Sequence, residues 1–294
     1  MGTKLTRRTF LQRSIGTSVG LASAMPFLPS CLNGKKLKME FGLVTYQWGK
    51  DWDLPTLIAN CEKAGLKAVE VRTEHAHGVE TSLTDFHRKE VKKRFADSNI
   101  TCVGYGSNFE YHDPDQNKLR WNIEQTKEYV KLCSDIGATG LKVKPNNLPD
   151  GVPYEKTIEQ IATSLNEVGA FAKDFGQLIR VEAHGRKTQE LPNMKAIFDR
   201  VTEPNVKICW NSNTVDLNPP GFKSNFDLVK EWIGDTVHVR ELDDPDYPYQ
   251  ELFQLLLDNR FDGWILLEAS STPPDILSAL IDQKSIFDEL LQSI

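Results

Sequence analysis

The 294-residue chain reads as an α/β protein, a single-domain (β/α)8 TIM barrel behind an N-terminal export signal. Three observations predict it. Eight strand-then-helix units follow one another in about 260 residues, which is the size and rhythm of such a barrel. Five of the six histidines (His75, His77, His112, His184 and His238) fall at or just beyond the C-terminal ends of the expected strands, and only His87 falls in a helix. Strand ends of a closed barrel converge on one mouth, where enzymes of this architecture keep their chemistry. No Gly-x-Gly-x-x-Gly follows the first strand, which disfavours an open doubly wound sheet.

Taken in order, residues 39–46 form the first strand. Asp53 then caps a helix over Leu57, Ile58 and Cys61 that ends near Gly65. Residues 67–71 are strand two, running into the polar stretch RTEHAHG at 72–78. Ser82, with Asp85 three residues on, opens a charged helix through Phe95. Residues 100–105 are strand three, followed by a loop holding Glu110, Tyr111 and His112. A helix runs from about Gln116 to Gly137, and strand four covers 139–143, with Lys144 and Asn146 just beyond.

The next helix repeats apolar residues at Ile158, Ile161, Leu165, Val168 and Phe175, and Gly176 stops it. Strand five is the run LIRVEAHG at 178–185. Its alternation puts Ile179, Val181 and Ala183 on one face, and Arg180, Glu182 and His184 on the other. A carboxylate and an imidazole at the end of a buried strand point at a small ligand or a metal. A helix at 194–201 leads to strand six (206–210) and then Asn211 and Asn213. A helix at 226–233 precedes strand seven (236–240). A helix at 249–259 precedes strand eight (264–267), Glu268 stands at its end, and a last helix closes the chain.

The composition is ordinary for a globular protein, 39% hydrophobic and 26% charged, and no Pro/Gly/Ser linker or acidic block divides the chain. The formal net charge is −6. Lys4, Arg7, Arg8 and Arg13 stand in the first thirty residues without a single acid, so the remainder is more acidic still. Nucleic acid is therefore disfavoured as a partner, since phosphate binding needs a basic surface. Cysteines 31, 61, 102, 133 and 209 show no paired spacing, hence neither a disulfide framework nor a zinc ribbon.

The N-terminal segment reads as a targeting signal. TRRTFL at 6–11 matches the twin-arginine export pattern, and a weakly apolar run at 15–28 follows. LPSC at 28–31 has the form of a lipoprotein cleavage box, which would leave a lipidated Cys31 as a membrane tether; ASA at 22–24 is a competing cleavage site. Residues 1–30 are accordingly set apart as signal peptide, with 31–294 as the barrel. The expected location is exported, periplasmic or anchored at the membrane.

Glu182 and Glu268, from strands five and eight, face each other across the expected mouth. With His238 from strand seven they suit Mn2+, Mg2+, Co2+ or Zn2+, and Asn211 can add a neutral amide oxygen. His184 is suited to a substrate hydroxyl or to support of Glu182. Lys142 and Lys144 end strand four, where either can stabilise a developing oxyanion. Arg72, Glu74, His75 and His77 are dense enough in polar groups to bind sugar hydroxyls, and Glu110, His112, Asn146 and Arg240 are weaker candidates of the same kind. Tyr46, Trp48 and Trp210 are candidates to stack on a pyranose face.

These residues carry a resemblance. VEAHG at 181–185, CWNSN at 209–213, VHVR at 237–240 and GWILLE at 263–268 resemble the xylose-isomerase-like barrel superfamily, the sugar phosphate isomerase/epimerase group, over roughly residues 39–290. The resemblance implies a divalent metal held by Glu, Asp, His and Glu from strands five to eight. Glu182, His238 and Glu268 match in type, whereas Asn211 stands where the family's Asp is usual. It also implies proton abstraction beside a carbonyl, with a metal-bound Glu as base.

Returning that proton elsewhere gives isomerisation or epimerisation, whereas a leaving group on the neighbouring carbon gives β-elimination. Phosphorylated sugars are cytoplasmic, and an exported enzyme meets glycosides. The Asn-bearing exported branch looks like the 3-keto-β-glucopyranoside 1,2-lyases, which work downstream of a sugar 3-oxidoreductase. That resemblance implies Glu182 or Glu268 as base and Lys144 or His112 as enolate or leaving-group partner; Asn213 joins the residues expected to touch the sugar. A sugar isomerase or epimerase acting on unphosphorylated ketoses is the alternative, and a non-catalytic, exported sugar-binding barrel is the third reading. An apurinic endonuclease is disfavoured by export, acidity and too few metal-type ligands.

Overall fold

Strands begin where apolar side chains alternate with small or polar ones, and half of the described α-helices begin at an oxygen-bearing cap. In the computed structural model, which describes residues 38–294, the order is β1 (Met39–Val44), α1 (Leu54–Lys63), β2 (Ala68–Arg72), α2 (Asp85–Ala96), β3 (Thr101–Glu110), α3 (Gln116–Ile136), β4 (Gly140–Lys144) and α4 (Tyr154–Asp174). It continues with β5 (Leu178–Glu182), α5 (Leu191–Phe198), β6 (Val206–Asn211), α6 (Phe222–Val229), β7 (Ile233–Val239), α7 (Tyr249–Asp258), β8 (Gly263–Leu267) and α8 (Ile276–Gln292). The expected twin-arginine signal, its cleavage sites and Cys31 lie outside the described residues.

The strands pair in parallel and close on themselves, β8 joining β1 through Phe41 opposite Ile265. The (β/α)8 barrel is thus the fold. Asp53, Thr84, Asp115 and Asp275 each accept a backbone N–H at the start of a helix. Thr84, not Ser82, caps α2. Strand β3 runs on to Glu110, beyond the expected end at Tyr105, because its Gly104, Gly106 and Ser107 lack the apolar alternation that marks a strand in sequence. Helix α6 starts and ends four residues earlier than expected, and Ile233 opens β7.

Outward-facing residues such as Val69, Val71, Leu141, Val143, Ile179, Val181, Val237 and Ile265 pack in one cluster with the helices. Inside the barrel the apolar filling is small: Val44, Ala68, Val103 and Leu266. The rest of the interior is polar. Arg180, fully buried on β5, donates Nε and Nη2 to the two oxygens of Asp235, both at 2.8 Å, and Nη1 to the Val103 carbonyl at 3.0 Å. Gly104 and Gly140 leave it room, since a Cβ there would lie 2.5 Å and 2.7 Å from Nη1. Above that fork, at the C-terminal ends of the strands, the remaining charged side chains gather.

Candidate metal centre

The alternation of β5, β7 and β8 aims Glu182, His238 and Glu268 inward, and one donor atom from each lies within 4.8 Å of the others. All three are buried. His238 Nδ1 is 3.8 Å from Glu268 Oε2, and neither ring nitrogen makes a hydrogen bond. Asn211, at the end of β6, is 1% exposed; it donates Nδ2 to Glu182 Oε1 at 3.1 Å, and its Oδ1 is buried without a partner. Two carboxylates, an imidazole and an orphaned amide oxygen are a donor set that fits a borderline or hard divalent cation. Buried acceptors left unpaired are costly, so a shared ion is the natural partner for them.

Each carboxylate has its own cationic support. Lys142 Nζ reaches Glu182 Oε2 at 2.6 Å, and Arg72 Nη1 reaches Glu268 Oε1 at 2.7 Å. Arg72 is set by Asn108 Oδ1 at 3.2 Å and by the Tyr46 ring 4.8 Å beneath its guanidinium. Burial raises the proton affinity of Glu182, but Lys142, Lys144 and His238 outweigh it and hold the group well below the ordinary carboxylate range. Glu268 keeps Oε2 free of hydrogen bonds, with Arg240 Nη1 3.9 Å away.

Lys144, one step nearer the opening, makes no ion pair or hydrogen bond. Burial first, then repulsion from Lys142 and Arg72, lowers its pKa to about 8 against the pull of Glu182 and Glu268. Around the rim, Glu110, Asn146 and His184 form one chain: Asn146 Nδ2 donates to Glu110 Oε2, and Asn146 Oδ1 meets His184 Nδ1 at 2.8 Å. Gly185 makes the turn after His184 feasible. Its φ is +94°, and a Cβ there would lie 2.1 Å from the Asn146 carbonyl oxygen, with which its strand pairs. Burial first, with Lys144 and Lys142, also lowers the His184 pKa. His112 Nδ1 lies 3.2 Å from the Pro145 carbonyl.

Several expected sugar contacts prove to be committed elsewhere. Lys142 is fully buried and its ammonium is paired with Glu182 at 2.6 Å. Glu74 is exposed in a left-handed turn (φ +64°), with its N–H bonded to Glu80. His77 is buried and accepts the Val79 N–H at 3.0 Å, while His75 meets Thr45 Oγ1 at 3.1 Å. That polar cluster is therefore largely a structured turn. Asn213 ties the Ala183 and Asn211 carbonyls at 2.8 and 2.9 Å and so closes the end of β6. Trp210 and Trp48 are core residues, 0% and 3% exposed, so neither offers a face to a pyranose. Arg240 remains at the opening, its Nη1 on the Glu268 carbonyl at 3.2 Å.

Two groups went unnoticed in the sequence. Glu70 is fully buried on β2 with neither oxygen hydrogen-bonded, and its Oε1 is 3.5 Å from His238 Nε2. Its signal was available: Glu70 alternates with Val69 and Val71 as Glu182 does with Val181. Behind the site, Asp216 Oδ2 accepts the Tyr247 hydroxyl at 2.7 Å, and that hydroxyl accepts Trp210 Nε1 at 3.1 Å. Burial raises the Asp216 pKa to about 7.

A family profile described as xylose isomerase-like TIM barrel matches residues 58–289. No curated protein matches the chain in sequence. Among solved structures, L-ribulose 3-epimerase is similar with a TM-score of 0.74 at 14% identity, over 87% of this chain and 95% of that one. The 3-keto-D-glucoside 4-epimerase of E. coli is similar with a TM-score of 0.70 at 12% identity, over 86% and 100%. The IOLI protein, crystallised with a zinc atom, has a TM-score of 0.70 at 15% identity, over 87% and 99%. At such identities these likenesses concern the fold.

Proposed function

The chain belongs to the xylose isomerase-like TIM barrel family, and from that membership we propose that it is a divalent-metal-dependent enzyme that removes a proton beside a sugar carbonyl. The observation that carries this reading is the meeting of Glu182, His238 and Glu268 within 4.8 Å at the mouth. These three, with Asn211 Oδ1, would hold the ion (Mn2+, Co2+, Mg2+ or Zn2+), and a bound ion there supplies polarisation of the substrate carbonyl.

The protein's own groups divide the remaining work. Glu182 is held ionised by Lys142 and has both oxygens engaged, which suits a permanent ligand and not a base. Glu268, with Oε1 fixed by Arg72 and Oε2 free, is the group to take the proton. The C–H electron pair passes into an enolate. Lys144, still an ammonium below pH 8, is placed to give a proton to the departing oxygen. The product of that sequence is β-elimination: the C1–O bond breaks, the aglycone leaves with the proton, and the sugar keeps the new double bond.

We favour this lyase outcome, a 3-keto-glucoside 1,2-lyase, for two reasons. Asn211 replaces the acidic ligand usual in the isomerising family, and the N-terminal residues read as an export signal. The fold likeness to a 3-keto-D-glucoside 4-epimerase agrees with the substrate class. Epimerisation, with the proton returned to the enolate and the aglycone retained, is the second reading; it is favoured by the epimerases among the structural neighbours. An exported location, a Cys31 lipid tether and an upstream sugar 3-oxidoreductase belong to the same proposal. Mass spectrometry of the mature N-terminus tests the first two.

The deciding experiment combines metal analysis with incubation of the metal-loaded protein on an aryl 3-keto-β-glucoside. Aglycone release supports the lyase, and an isomerised product that keeps its aglycone supports the epimerase. Glu268→Gln should lower the rate on the order of 10²-fold or more. Binding without turnover, and without response to added Mn2+ or Co2+, overturns both.

A further inference from the structure

Under the three expected ligands lies a carboxylate with no evident purpose in packing. Glu70 stands mid-strand on β2 with 0% exposure, and neither of its oxygens is hydrogen-bonded. A buried carboxylate is expensive to keep unless a donor satisfies it. The space it occupies is kept clear by Gly106, where a Cβ would come within 2.7 Å of Glu70 Oε1. Across the barrel, His238 on β7 presents its two ring nitrogens in opposite senses. Nε2 faces Glu70 Oε1 at 3.5 Å, and Nδ1 faces Glu268 Oε2 at 3.8 Å. Neither nitrogen makes a hydrogen bond.

We propose that Glu70 is a positioning residue: it accepts the Nε2–H of His238, which fixes the imidazole so that Nδ1 is the nitrogen turned to the ion beside Glu268 and Glu182. This rests on the metal-centre reading above. The physical reason is that a ring nitrogen can bind a cation only through its lone pair, and which nitrogen carries the lone pair is set by the bond the other one makes. A carboxylate there draws the Nε2 proton toward itself and leaves more electron density on the ring, making Nδ1 the better donor.

The test uses the full-length protein loaded with Zn2+, which is diamagnetic, and Glu70→Gln beside it. In nitrogen-edited NMR spectra the His238 Nε2–H of the wild type should appear as a sharp, exchange-protected resonance, and Glu70→Gln should shift it and speed its exchange. Chelator competition with Zn2+ and with Mn2+ should show affinity falling on the order of 10–100-fold in the variant. Equal affinities with an unchanged resonance overturn the assignment to Glu70. A wild-type Nε2–H that exchanges as freely as a solvent-facing ring proton overturns it without any variant. Failure of the wild type to take up either metal overturns the metal-centre reading instead.

Discussion

Lys142 Nζ lies 2.6 Å from Glu182 Oε2, and neither side chain reaches solvent. A pair so enclosed gains little over a well-packed apolar substitute but is costly to break, because the survivor remains as an unpaired buried charge. Replacing Lys142 by Met should therefore destabilise the metal-free protein by about 3–5 kcal/mol. A divalent cation supplies the missing positive charge beside Glu182, so Mn2+ should restore more stability to the variant than it adds to the wild type. Urea midpoints of both proteins with and without Mn2+ read this. Equal gains would mean that Glu182 does not meet the ion.

Asn211→Asp puts back the acidic ligand usual in the family. In the present arrangement the Asn211 amide donates to Glu182 Oε1, and an aspartate there meets a second carboxylate instead. The metal-free variant should lose about 1–3 kcal/mol of stability for the lost bond. Metal affinity should rise at least tenfold, since two like charges are then relieved by one cation. Calorimetric titration with Mn2+ measures the second effect, and an unchanged affinity would remove Asn211 from the ligand set.

Lys144 gives the pH dependence of turnover. Its pKa is lowered to about 8 by burial and by Lys142 and Arg72. If its ammonium protonates the departing oxygen, kcat/KM, which reports the free enzyme, falls as pH rises through about 8. Lys144→Arg keeps a proton far above that range, and should move or abolish the alkaline limb while losing rate through altered reach. A limb at the same pH in both proteins would assign it to another group.

Asp216 gives a pH dependence of stability. Its pKa rises from 3.8 to about 7 on folding because burial disfavours the carboxylate. A group that binds its proton more tightly when folded costs nothing while both states are protonated, below pH 3.8. The cost grows as pH rises toward 7 and is complete above it, reaching about 4 kcal/mol at 1.4 kcal/mol per unit. The urea midpoint of Asp216→Asn should thus gain on that of the wild type between pH 4 and 7.5. A constant difference across that range would show Asp216 ionised throughout.

The site was legible where chemistry and periodicity coincide. Glu182, His238 and Glu268 each stand within one residue of the end of a strand whose alternation assigns them inward, so a barrel brings them together whatever the details of the loops. Glu70 obeys the same alternation but stands mid-strand, beside the denser polar run from Arg72 to His77, which is mostly a turn. The Asp216–Tyr247 contact joins residues 31 apart in sequence, and no local pattern announces it. Strand β3 is longer than its sequence suggests because glycines that make room for Arg180 and Glu70 look like a turn when their neighbours across the barrel are unknown.

The fork of Arg180 on Asp235 has a consequence for traffic. It stops the lower end of the barrel with a full-length side chain, so whatever reaches the upper end arrives and departs by one doorway. Under the proposed function, reactant and product would have to take turns there, a departing sugar standing in the way of the next.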